Sequence, residues 1–156
     1  MRIRVLAVGS RMPGWVDAAC TDYVKRLNAH ARTSLVEIAT AARGAKTRQP
    51  KAVATEGDRL LDAVDAREYV VVLDERGREL TTRELATWLE QRRKDGRDLA
   101  FVIGGPDGLS LKVQARADWT LSLSRLTLPH ALARVLLLEQ LYRAHTVLAN
   151  HPYHRD

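Results

Sequence analysis

The sequence predicts an α/β fold, a mostly parallel sheet flanked by helices. Two observations carry that prediction. Three short runs, at residues 3–8, 69–73 and 99–103, are nearly continuous in apolar residues and do not alternate, as strands buried on both faces must be. The stretches between them place apolar residues every three or four positions, the period of one helix face. Strands alternating with helices imply crossover connections, and therefore parallel pairing with helices on both sides.

The elements follow in order. Ile3 to Val8 reads as a buried strand stopped by Gly9-Ser10 and Pro13-Gly14. Trp15, Val16, Ala19, Cys20, Tyr23, Val24 and Leu27 then mark one face of a helix. Leu35, Val36 and Ile38 indicate a second strand. The segment AARGAKTRQPK, Ala41 to Lys51, carries Arg43, Lys46, Arg48 and Lys51 without an acid and reads as a basic loop. Val53, Leu60, Leu61 and Val64 suggest the next helix, and Tyr69 to Leu73 the third strand. Thr81-Thr82-Arg83-Glu84 has capping-box spacing, since a glutamate at the third helical position reaches back to the backbone N–H of the cap. Leu85, Trp88 and Leu89 give that helix its apolar face, and Asp95-Gly96 supplies its stop. Leu99 to Ile103 is the following strand. DWTLSLSRLTL, Asp118 to Leu128, contains one more short strand, after which Pro129 suits the first turn of a helix from Ala131 to Ala149. Leu132, Val135, Leu136, Leu137, Leu138 and Leu141 leave the first half of that helix apolar almost all round. It must therefore be buried on more than one side, in the core, at a subunit contact, or both.

Size and composition bound the remaining possibilities. A chain of 156 residues suits one domain spanning residues 1–156, and 46% apolar with 28% charged residues excludes a disordered or collagen-like chain. A formal charge of +6 favours an anionic partner, of which RNA or DNA is the commonest. Cys20 is the only cysteine, so no intrachain disulfide and no cysteine-cluster zinc site is expected, which suits a cytoplasmic protein. The apolar run near the N-terminus is too short for a signal peptide or a membrane span.

Three segments contain residues suited to chemistry. FVIGGPDGLS, Phe101 to Ser110, matches neither a P-loop nor a Rossmann turn. Yet ligands in open parallel sheets sit beyond the carboxyl ends of the strands, where Asp74 and Gly104-Gly105 fall. On residue type alone it is either a ligand loop or a plain turn. Within the last helix Glu139 reads as salt-bridged, while Arg134 and Arg143 suit either ion pairing or RNA contact. The terminal NHPYHRD, Asn150 to Asp156, offers Tyr153 for stacking on a base, Arg155 for phosphate and His154 as a group titrating near neutrality. His151 and His154 lack an obvious third ligand, so no metal is expected, and His30 and His145 read as structural.

Together the N-terminal AVGSRMPGWV, FVIGGPDGLS, LSRLTLPHALARVLLLEQLYRA and terminal NHPYHR resemble the RlmH family, small SPOUT-class methyltransferases of the bacterial large ribosomal subunit. The likeness spans nearly the whole chain. It implies a SPOUT-type α/β fold with a C-terminal trefoil knot, a rare exception to unthreaded connections. It also implies a homodimer, S-adenosyl-L-methionine as methyl donor, and methylation of N3 of a pseudouridine in the 23S rRNA of the ribosome, with no membrane or metal involved. On this resemblance Leu73, Gly104, Gly105, Leu123, Ser124, Arg125, Leu126, Thr127 and Leu128 form the cofactor pocket. Tyr153, His154, Arg155 and Arg143 would serve as base, electrostatic and substrate-holding groups. Two rivals are weaker: a non-catalytic RNA-binding module leaves the glycine loop without a role, and a nucleotide-binding hydrolase lacks any phosphate fingerprint.

Overall fold

Five strands pair side by side, all parallel, in the order β2 (Thr33–Ile38), β1 (Ile3–Val8), β4 (Leu99–Ile103), β3 (Tyr69–Glu79) and β5 (Trp119–Ser122). The structure is a computed structural model describing residues 1–44 and 49–155. Its helices are α1 (Gly14–Leu27), α2 (Gln49–Ala63), α3 (Thr82–Asp95), α4 (Leu111–Arg116) and α5 (His130–Leu148), with a single 3-10 turn at Pro152–Arg155.

The two-residue period of the strands divides the core. Ile3, Val5, Ala7, Val71, Leu99, Phe101 and Leu121 point to the side occupied by α1, α3 and α5. Leu6, Val8, Val70, Val72, Ala100 and Val102 point the other way and meet Leu60 of α2 and Val113 of α4. On the first side α5 packs against both α1 and α3. Leu137, Leu138, Leu141 and Ala144 are wholly buried there. This is the burial on more than one side that its sequence demanded.

The capping box at Thr81 is present in both directions, Glu84 N–H donating to the Thr81 hydroxyl and Thr81 N–H to the Glu84 carboxylate at 2.7 Å. Gly96 closes α3 in the left-handed conformation, φ 74°. Pro129 stands one residue earlier than expected, at the N-cap of α5 and not in its first turn. Trp15 does not join the buried face of α1; it is 60% exposed. The short helix α4 went unpredicted, because six residues are too few to establish a period. Among the described residues no helix is long and apolar enough to cross a membrane.

Of the two readings of Arg134, ion pairing or RNA contact, the structure shows the ion pair, with Glu37. Arg134 is 1% exposed. Its guanidinium reaches through the core to the end of β1, donating to the carbonyls of Val8 at 3.2 Å and Gly9 at 2.8 Å, and to the Glu37 carboxylate at 2.8 Å. It ties the first turns of α5 to β1 and touches no solvent. His145, by contrast, is structural as expected, buried and stacked on His30 with centroids 5.8 Å apart.

Two outcomes follow from these buried groups. Replacing Arg134 by Met keeps most of the volume but strands two carbonyls, and should lower stability by about 2–4 kcal/mol in urea unfolding; an unchanged midpoint would contradict the tie. For His145, burial first, then the charges of His30 and Arg93, push the pKa down to about 4. The unfolded chain binds that proton near the ordinary value of about 6.5, so stability is lost as pH falls through the window between the two. The urea midpoint should drop across that window in the wild type, and drop less steeply in His145→Phe.

Candidate active site

At the carboxyl ends of β3, β4 and β5, three loops enclose a cleft of about 920 Å³. Its walls are Leu73 to Arg76 after the straight part of β3, Ile103 to Leu109 after β4, and the segment from Ser122 to His130 between β5 and α5. Leu73, Gly104, Gly105, Leu123, Ser124, Leu126, Thr127 and Leu128, eight of the nine expected cofactor residues, line this one cleft. Arg125 does not: its side chain is 87% exposed and lies 3.9 Å from Glu79.

Each loop takes its shape from local constraints. β3 was expected to end at Leu73 but continues to Glu79, because both Leu73 and Arg78 pair with Leu121 and the residues between them bulge outward. Gly77 permits this: a Cβ there would lie 2.6 Å from the Leu121 carbonyl carbon. Asp74 thereby enters the cleft wall, its carboxyl held low in pKa by the hydrogen bonds from Arg76.

In the glycine loop the glycines answer to close packing within the chain. A side chain at Gly104 would collide with the Gly108 backbone at 2.9 Å, and one at Gly105 would press Val8 at 3.1 Å, so these residues let the loop fold on itself and on β1. Gly108 adopts φ 81°, a conformation glycine alone takes freely. The loop is closed by Gly108 N–H donating to the Gly105 carbonyl at 3.1 Å.

His130, which the sequence reading passed over, stands at the foot of the cleft as the first residue of α5. Burial, with the charge of Arg134 second, lowers its pKa and favours the neutral imidazole. Its position directly after Pro129 was the available signal.

The tail residues lie elsewhere. Tyr153 donates its hydroxyl to Glu139 at 3.1 Å, sits 3.2 Å from the Tyr23 hydroxyl and packs edge-on against Tyr142. Burial first, then those hydroxyl and carboxylate partners, raise its pKa. Arg143 pairs with Glu139 at 2.8 Å and covers the Tyr153 ring at 4.7 Å. Tyr153 and Arg143 thus pin the tail to α5. His154 lies in a separate hollow with Thr82, Arg83, Gln140 and Arg143, and its Nδ1 has no hydrogen-bond partner among the described residues. Arg155 is exposed beside it. That hollow shares no lining residue with the cleft. Gln140 stands ten residues along α5 from His130, about 15 Å by helical rise.

The basic loop is also different in part. Lys46 and Arg48 fall outside the described residues, and Lys51 is exposed on α2. Arg43 is exposed, yet its guanidinium is bound to Glu56 and Asp107. No group of three or more histidine, cysteine, aspartate or glutamate side chains among the described residues is placed to hold a metal ion.

A sequence model described as a predicted SPOUT methyltransferase matches residues 1–154. The chain belongs to the SPOUT methyltransferase family. Among its relatives, the ribosomal RNA large subunit methyltransferase H of Dechloromonas aromatica is 52% identical over 156 residues, covering 100% of this chain and 99% of that one. The protein of the same name from Marinomonas sp. is 48% identical over 99% of this chain and 100% of its own. Solved structures share the fold at lower identity. A probable methyltransferase from Bordetella pertussis Tohama I aligns with TM-score 0.60 at 20% identity, over 92% of this chain and 94% of that chain. The tRNA (m1G37) methyltransferase of Aquifex aeolicus aligns with TM-score 0.53 at 14% identity, over 92% and 70%.

Proposed function

We propose that this SPOUT family member is a 23S rRNA methyltransferase of the large ribosomal subunit, using S-adenosyl-L-methionine and acting on N3 of a pseudouridine in the cytoplasmic ribosome. The observation that carries this reading is the convergence of the glycine loop and the LTLPH segment on one cleft, in a chain about half identical to large-subunit rRNA methyltransferases over its full length. The charge of +6 suits an RNA substrate.

The cleft fits the donor. Its volume lies within the range of about 300–1,000 Å³ typical of sites for small ligands. Leu73, Ile103, Leu123 and Leu128 offer apolar surface to an adenine ring, and the main chain at 104–105 and 122–127 offers donors and acceptors. When bound, this cofactor supplies a methyl group already activated by a sulfonium, so the protein's contribution is position and electrostatics. N3 of pseudouridine is largely protonated at neutral pH, and its lone pair is poorly available. His154 is our candidate to take that proton, with its unpartnered Nδ1 as support, and Arg155 to favour the resulting anion. Tyr153 and Arg143 hold the tail in place for both.

Because His154 stands apart from the cleft of its own chain, we read the site as composite, one protomer's tail completing the other's cleft in a homodimer. Leu132 and Leu136, one turn apart on α5 and partly exposed outside the core, and the exposed Trp15 on α1 supply apolar surface for that contact. We further read the passage of the chain from β5 into α5 as the trefoil knot typical of the family, within one domain spanning the chain.

Purified protein incubated with ribosomes and S-adenosyl-L-methionine should add one methyl group to a pseudouridine of 23S rRNA, detected by mass spectrometry of nucleosides. Absence of methyl transfer to the large subunit would overturn the proposal. His154→Ala should lose most transfer while binding the donor normally in calorimetry. Mixed dimers of His154→Ala with a cleft-blocked variant should regain activity that neither has alone.

A further inference from the structure

Beneath the glycine loop lies a charge network that the proposed chemistry does not use. Glu56 of α2 is 2% exposed, and its carboxylate receives both terminal nitrogens of Arg43, at 2.8 and 2.9 Å, and the Ala41 N–H at 3.1 Å. The Nε of Arg43 donates to Asp107 at 2.6 Å, and the Gln49 amide donates to the other oxygen of the same carboxylate. Asp107 lies in the glycine loop and lines the cleft.

Geometry makes α2 the backing of that loop. Glu56 Oε1 would stand 3.4 Å from a Cβ on Gly105, and Ser110 fills the space where a side chain on Gly57 would go. Among the described residues, short-range bonds hold the turn, Gly108 N–H to Gly105 and the Gln114 amide to the Leu109 carbonyl. Among those residues, the side-chain ties from Asp107 to Arg43 and Gln49 fasten its tip to the segment leading into α2. Arginine is suited to the task, because one planar guanidinium serves a buried carboxylate on one edge and a second carboxylate through Nε.

We propose that Arg43 is a positioning residue of the donor site: anchored by the buried Glu56, it grips Asp107 and holds the glycine loop in the shape that receives the methyl donor. It acts through the loop and touches no reacting atom. The inference rests on the cleft being the donor site, and the experiment separates the two. The Arg43–Glu56 pair also accounts for the cost of an unpaired carboxylate under the loop, so the test must spare it. Arg43→Lys keeps a cation beside Glu56 but cannot span both carboxylates; Asp107→Ala removes only the grip on the loop tip.

In calorimetry with S-adenosyl-L-methionine, both variants should bind about ten-fold more weakly than wild type, with thermal midpoints close to wild type. Steady-state assays should show the donor KM raised to a similar degree, kcat at saturating donor near wild type, and ribosome KM unchanged. The double variant should be no weaker than Asp107→Ala alone, since that change already removes the link that Arg43→Lys breaks. Wild-type affinity in Asp107→Ala and Arg43→Lys, or additive losses in the double variant, would overturn the positioning role while leaving the donor site in place. A wild-type protein that binds no donor would instead defeat the functional reading beneath it.

Discussion

The arrangement of the site depends on where α5 begins, and that is set by one buried cation. Arg134 crosses from α5 to the carbonyls of Val8 and Gly9 at the end of β1. A guanidinium in the core is tolerated because the two carbonyls and Glu37 accept hydrogen bonds from its terminal nitrogens. With α5 fixed there, His130 and the preceding Leu126–Pro129 have one course open to them, over the ends of β3 and β4. The cleft is the gap that this course leaves.

Much of this was legible in residue pattern. Among the described residues, all five strands and four of the five helices were indicated by residue pattern, the two-faced strands by their nearly unbroken hydrophobicity, and α3 by a capping box that forms as the spacing requires. What was not legible depends on contacts distant in sequence. The extension of β3 exists only because β5 lies alongside to accept Arg78 and Glu79, and no local propensity encodes that pairing. Trp15 obeys the helical period of α1 and is nevertheless exposed, because a period says which residues share a face and not how wide the covering neighbour is.

The site divides in the same way. The loops that form the cleft carry glycine and proline signals and sequence motifs, so the segments lining it could be named in advance. The arginines could not be sorted. Arg43, Arg134 and Arg143 look alike in sequence, yet one braces a loop, one is sealed in the core and one pins the tail. The partners of these guanidinium groups stand 2 to 126 positions away in the hydrogen-bond pairs concerned, and mostly on other elements. Tyr153 likewise reads as a base-stacking ring until Glu139 and Tyr23 are seen to hold its hydroxyl.

What emerges is a division of labour between two ends of one helix. The N-terminal end of α5 closes a pocket suited to a small donor, and the C-terminal end carries the tail that bears the proton-handling candidate. The account's central claim is that the donor lies between the paired glycines and the LTLPH segment. A crystal structure of the protein with S-adenosyl-L-homocysteine tests it most directly. The account requires the ligand to touch main chain at Gly104–Gly105 and at 123–128. Ligand density anywhere else, with that cleft filled by protein, would contradict it.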